Sequence, residues 1–135
     1  MNWKLLFALS LLGLLMGIAT VYWINQRLEP VFWLVVLVFS ARMITRSAPG
    51  RYFLHGIYLG LLNCVWVTAA HVLLFHTYWV NHPQMAEMSQ KMFLADHPRR
   101  QMVAFGPVIG AISGILIGLI AVLMAGLGSK KAATA

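Results

Sequence analysis

The chain has 135 residues, of which 61% are hydrophobic and only 10% charged, a balance that excludes an ordinary soluble domain, which runs near half apolar and about a quarter charged. Ten Lys and Arg against three acids give a formal charge of +7. The basic residues stand singly or in pairs between apolar runs, with no patch of interleaved aromatics, so the imbalance points to lipid headgroups and orientation and excludes a nucleic-acid partner.

Four apolar segments follow in chain order, over residues 5–24, 31–44, 52–80 and 102–127. All are expected to be helices, because a backbone in hydrocarbon satisfies its hydrogen bonds within the segment and no alternating barrel pattern is visible. The expectation is a single all-α integral membrane domain over residues 1–135, a four-transmembrane-helix bundle with Gly-rich helix packing and a short outer interfacial helix in the loop 81–101. The first segment is about 20 residues long, enough to cross a bilayer. No clean small-x-small cleavage site precedes Tyr22, so it is expected to be a span and not a signal peptide. The second is short for a span, and its Arg42 is expected to snorkel to the headgroups. The third exceeds what a bilayer needs and should tilt or project. Pro30, Pro49, Pro83 and Pro98 fall in the connections, where they start or end helices, and Pro107 is expected in the first turns of the last span.

Aromatic residues mark the span ends: Trp3, Tyr22 and Trp23, Phe32 and Trp33, Tyr52 and Phe53, Tyr78 and Trp79, as a headgroup belt requires. Trp66 falls near mid-membrane, as a packing residue or a cofactor wall. With four spans, Lys4, Arg42, Arg46, Arg51, Lys130 and Lys131 lie on one side, without an acid. Arg27, Lys91, Arg99 and Arg100 share the other side with Glu29, Glu87 and Asp96. The positive-inside rule then places both termini in the cytoplasm.

Eight of the eleven glycines recur at four-residue spacing, as Gly13/Gly17, Gly56/Gly60 and Gly106/Gly110/Gly114/Gly118. Each set lies on one helix face, which in lipid allows a second backbone to approach closely. The partner is either another helix of the same chain or another subunit; a glycine-lined pore is the further alternative. On the third span, Gly56, Gly60, Asn63, His71 and Tyr78 share about one quarter of the helix circumference at ~100° per residue, with Cys64 beside them.

No Asp or Glu falls inside the four segments, which argues against carboxylate-driven exporters, rotary rings and di-iron bundles and removes a Ser-His-Asp triad from the membrane interior. The intramembrane polar residues are therefore Asn63, Cys64 and His71. Eight residues separate Asn63 from His71, roughly 12 Å along a helix, too far to share a metal. Each is expected to hydrogen-bond across a helix interface; the alternative is axial ligation of a haem or chlorophyll by His71. In the loop 81–101, Pro83 starts a short helix and Glu87 and Lys91 form an i,i+4 pair. Met85, Met88 and Met92 make either the apolar stripe of an interfacial helix or, with His82 and His97, a soft-metal site. No cofactor is expected.

The segment from Arg51 to Glu87, RYFLHGIYLGLLNCVWVTAAHVLLFHTYWVNHPQMAE, has an aromatic residue and two glycines opening a long span, aromatics closing it, and a proline after a two-residue polar step. With the compact loop and Gly/Ile-rich final span that follow, it resembles a family of small four-helix bacterial inner-membrane proteins, a domain-of-unknown-function family. The resemblance implies four spans and a bacterial inner membrane, with no established activity and no residue roles. The function expected is a non-enzymatic accessory or structural subunit of a membrane complex, or a small homo-oligomer, whose partners are the lipid bilayer and other membrane subunits or itself. The alternatives are a small channel or transporter lined by the last span and a cofactor carrier through His71. A lined cavity bearing Asn63, His71 and Ser113 would favour the channel or transporter.

Overall fold

The computed structural model describes residues 1–133, with side chains through residue 128. Among the described residues every regular element is a helix: α1 (Trp3–Tyr22), α2 (Glu29–Ser47), α3 (Tyr52–Leu73), α4 (Phe75–Asn81), α5 (Pro83–Gln90) and α6 (Pro98–Ala133). Four of them, α1, α2, α3 and α6, are long and apolar enough to cross a membrane.

The starts are encoded locally. Asn2 caps α1, its side-chain oxygen accepting the Leu5 amide at 3.1 Å, which satisfies one of the orphan donors of the first turn. Pro30, Pro83 and Pro98 occupy the opening residues of α2, α5 and α6, where a missing amide hydrogen costs nothing. Between α2 and α3 the chain reverses through Gly50 and Arg51, with φ of 77° and 50°; the first is the conformation that glycine adopts without strain.

Several bounds differ from the sequence expectation. The second helix is not a short segment over 31–44: it runs from Glu29 to Ser47, 19 residues, and is long and apolar enough to cross a membrane. The third segment does not continue from 52 to 80 as one helix. It breaks at Leu74, whose φ and ψ of −99° and 29° end α3, although its amide still reaches Ala70 at 2.9 Å and its carbonyl still accepts from Tyr78 at 3.0 Å. The break lets α4 lean on α1, where the Asn81 amide donates to the Val21 carbonyl at 2.7 Å. The last helix begins at Pro98, so Pro107 lies in its interior and not in its first turns. Pro107 is exposed, whereas Gly106 and Gly110 beside it are buried. Glu87 and Lys91 form no ion pair, because α5 ends at Gln90 and leaves Lys91 beyond the helical register.

The helix α3 is central, packed on α6 along one side and on α1 along another, while α2 packs chiefly on α6. The seam between α3 and α6 is made of glycine. A Cβ on Gly56 would overlap the backbone of Gly118, and one on Gly60 the backbone of Gly110 and Gly114. Against α1, a Cβ on Gly13 would lie 2.5 Å from Asn63 Oδ1 and one on Gly17 3.1 Å from the Val67 Cα. Backbones this close gain the dispersion contacts that must replace the hydrophobic drive in lipid.

The apolar core gathers at one end. Leu6 and Leu9 of α1, Ala41 and Ile44 of α2, Leu59 of α3, and Ile117 and Ala121 of α6 form one buried cluster. Polar contacts close the same end: the Asn2 amide donates to His55 Nε2 at 3.1 Å, the Asn2 side chain to the Ser47 carbonyl at 3.3 Å, and Thr45 to the Ala121 carbonyl at 3.2 Å. The N-terminus, the end of α2 and the start of α3 therefore meet there, and α5 lies at the other end.

Candidate functional site

At the α5 end the helices part. The buried residues of α2 are Ser40, Ala41 and Ile44, all in its second half, and its first half stands off from α3 and α6. Small residues let backbones approach, and this half presents Glu29, Trp33 and Leu37 instead, at successive four-residue steps. The space left is a cavity of about 410 Å³ walled by α2, α3, α4, α5 and α6, within the range of sites that hold a drug-sized ligand. On α6 its wall runs from Gln101 to Ser113, roughly 18 Å at 1.5 Å per residue.

Three sides supply distinct chemistry. From α3 come Asn63, Cys64, Thr68 and His71, with Ser113 from α6 at the same depth. Asn63 is 4% exposed and its Oδ1 has no hydrogen-bond partner, lying instead on the Gly13 Cα. His71 Nε2 lies 3.0 Å from Thr20 Oγ1, and the Thr20 hydroxyl donates to the Gly17 carbonyl at 3.0 Å. Its single hydrogen being used there, Thr20 accepts from His71, which leaves Nδ1 as a bare acceptor. From α5 and the turn after it come Met85, Met88 and Met92, with Met102 and Phe105 from α6. From α2 and α4 come Glu29, Trp33, Tyr78 and Trp79.

Three rings stack in sequence at this last wall. The His71 and Tyr78 centroids are 4.0 Å apart and those of Tyr78 and His82 4.2 Å apart, with interplanar angles of 22° and 19°. Glu29 is held at the end of this stack: Trp33 Nε1 donates to its Oε1 at 3.2 Å, and His82 Nε2 lies 3.7 Å from its Oε2. Burial and the nearby Glu29 carboxylate push the Tyr78 phenol, on α4 beyond the α3 span, above its ordinary value, so it remains a neutral donor.

The short helix is fastened over the cavity by one residue. Gln101 accepts from Ser89 Oγ, and its Nε2 donates to the carbonyls of Ser89 at 3.2 Å and Phe93 at 2.7 Å. Arg99 sits 5.0 Å above the Phe75 ring, tying the start of α6 to α4.

The residues singled out from sequence are thus distributed unequally. Asn63, Cys64 and His71 share the cavity wall, and so do Gly60, Gly106 and Gly110. Gly13, Gly17, Gly56, Gly114 and Gly118 lie in helix seams, and all eight of these glycines meet another helix of the same chain. The three methionines line the cavity, but the histidines expected to flank them turn away. His82 is fully buried behind Tyr78, with Nδ1 3.0 Å from the Tyr78 carbonyl. His97 belongs to a separate shallow depression with Asp96 and Arg99. Among the described residues no group of three or more His, Cys, Asp or Glu is placed to hold a metal ion. Trp66 bonds Ser10 Oγ at 3.1 Å and meets Phe7 edge-on, packing α3 on α1.

Sequence pattern alone does not single out Glu29 or Gln101, and it marks His82 only as a candidate metal ligand, not as the partner of Glu29. For Glu29 no local signal exists, because the residue before a proline is disfavoured in the helical region. The carboxylate counted as lying in a connection is instead the first residue of α2 and faces the cavity.

No family model, curated protein or solved structure matches this chain.

Proposed function

We propose that the protein is a small multi-pass membrane carrier or transporter that receives a largely apolar ligand in the cavity between α2, α3 and α6. The observation that carries this reading is the cavity itself, with Asn63 and His71 of α3 and Ser113 of α6 among the polar groups of a mostly apolar lining. Few convergent polar groups in a mostly apolar pocket are the pattern of a ligand site, and a close-packed bundle would have left no such space. The glycine faces lend no weight to a subunit interface, since each is spent on the chain's own helices. His71, with Nε2 on Thr20 and its ring on Tyr78, serves as a fixed hydrogen-bonding group and not as an axial ligand.

The four helices α1, α2, α3 and α6 form the spanning bundle, with α5 as an interfacial helix that roofs the cavity. A bacterial inner membrane with both termini cytoplasmic fits the charge distribution, in which Lys130 and Lys131 count although their side chains lie outside the described residues. The reading is non-enzymatic, a binding role that the mostly apolar lining of the cavity supports.

The test is thermal unfolding of the detergent-purified chain with a panel of lipophilic small molecules. Ligands that fit raise the midpoint by mass action, and Ser113→Phe, which fills the cavity, abolishes the shift while the protein stays folded. A panel without effect, or a shift that survives Ser113→Phe, overturns the reading.

A further inference from the structure

Among the described residues Glu29 is the only charged one on the cavity wall; no Lys or Arg among them lines it. The rest of that wall is aromatic and thioether: Trp33, Tyr78, Trp79 and Phe105 with the methionines of α5. Ring faces attract cations and a partly buried carboxylate adds to that attraction, so the electrostatics select positive charge and reject negative.

The carboxylate is not alone behind that wall. His82 Nδ1 is 3.0 Å from the Tyr78 carbonyl; a carbonyl only accepts, so Nδ1 carries a hydrogen. A neutral His82 would then aim the bare lone pair of Nε2 at Glu29 Oε2, 3.7 Å away, in a side chain with no solvent exposure. Two acceptors facing each other across this distance, one of them fully buried, are unfavourable, and one proton, on Nε2 or on Oε2, removes the conflict. Nε2 makes no hydrogen bond, so nothing else in the fold resolves it. The titratable groups facing the pair are Tyr78 and His71 from α4 and α3. The walls from α5 and α6 add only neutral side chains, and Arg27, Glu87, Lys91, Arg99 and Arg100 are exposed.

We propose that the cavity binds a lipophilic monovalent organic cation in exchange for the proton held between Glu29 and His82. The inference rests on the reading of the cavity as a ligand site. One positive charge enters beside the Glu29 carboxylate and one proton leaves to the medium, so the site keeps its net charge. Proton and cation then compete for one carboxylate, the condition for coupling their movements.

Calorimetric titration of the purified full-length chain with tetraphenylphosphonium, tetraphenylborate and triphenylphosphine oxide tests this, in two buffers of different ionisation enthalpy and over a pH series. The expected result is phosphonium binding with release of one proton and an affinity that rises about tenfold per pH unit while the pair is protonated. The borate should not bind, and the neutral oxide should bind independently of pH. Glu29→Gln should weaken phosphonium at least about tenfold and end proton release, with the oxide unaffected. Should that variant not fold, His82→Gln keeps the carboxylate and should keep phosphonium binding while losing its pH dependence. Phosphonium binding without proton release, or borate binding as well as phosphonium, overturns the exchange and leaves the cavity reading standing. Failure of all three probes overturns both.

Discussion

At the end carrying the N-terminus, Leu6, Leu9, Ile44, Leu59 and Ile117 close on one another and leave no space. At the α5 end, α2 stands apart from α3 and α6 around about 410 Å³. One helix makes the difference: α2 offers Ser40 and Ala41 to α6 in its second half and Glu29, Trp33 and Leu37 in its first. Small residues set a short interhelical distance and bulky ones a long one, so α2 diverges from its neighbours as its sequence changes. The closed end supplies rigidity, because glycine seams fix α3 on α6 throughout. The open end can then carry unsatisfied polar atoms such as Asn63 Oδ1 without endangering the fold.

The sharpest way to break this contrast is at the seam. Gly56→Leu should cost at least about 3 kcal/mol, since the added atoms meet the Gly118 backbone and no rotamer avoids it. A marked fall in the unfolding midpoint, or loss of folded protein, is the expected reading; an unchanged midpoint would mean that α3 and α6 are not in van der Waals contact there. Next in size is Ile117→Ala, which empties a fully buried site in the cluster and should cost about 2 to 5 kcal/mol in the same assay. Neither change touches the cavity wall, so ligand-induced shifts should persist in whatever Ile117→Ala protein remains folded.

How much of this is legible beforehand depends on the range of the interaction. Gly56, Gly60, Asn63 and His71 fall on one arc because helical periodicity is local, and four-residue glycine spacing implies a close neighbour without naming it. The four apolar segments are read from length alone. The break at Leu74 is invisible because no Pro or Gly marks it; it goes with a tertiary contact, the Asn81 side chain on the Val21 carbonyl of another helix. The cavity is a difference between interhelical distances, which no single segment encodes. The methionines of α5 read equally well as facing lipid or protein; they border the cavity because the bonds from Gln101 to Ser89 and Phe93 hold the helix over it.

Those bonds make Gln101 the place to sharpen the open end. Gln101→Leu removes three hydrogen bonds and leaves the buried Ser89 hydroxyl and two carbonyls without their partner, at about 2 kcal/mol. The loss is local, so amide exchange over residues 83–93 should accelerate by about tenfold or more while the global midpoint moves little. Equal acceleration throughout α3 would show instead that the roof and the seam unfold together, and the contrast between the two ends would fall.

The smallest effect is expected from Met88→Leu. The swap conserves volume and should change stability by less than about 1.5 kcal/mol, because Met88 borders empty space and makes fewer contacts than a core residue. Its value lies in the comparison with Ile117→Ala: both alter apolar side chains of similar size, one beside the cavity and one inside the cluster. If Met88→Leu cost as much as Ile117→Ala, the space under α5 would behave as packed interior, and the division between a closed and an open end would have no energetic meaning. If the two differ as expected, the α5 wall is free to vary in shape with what it encloses, as a thioether-lined surface that repacks around its ligand requires.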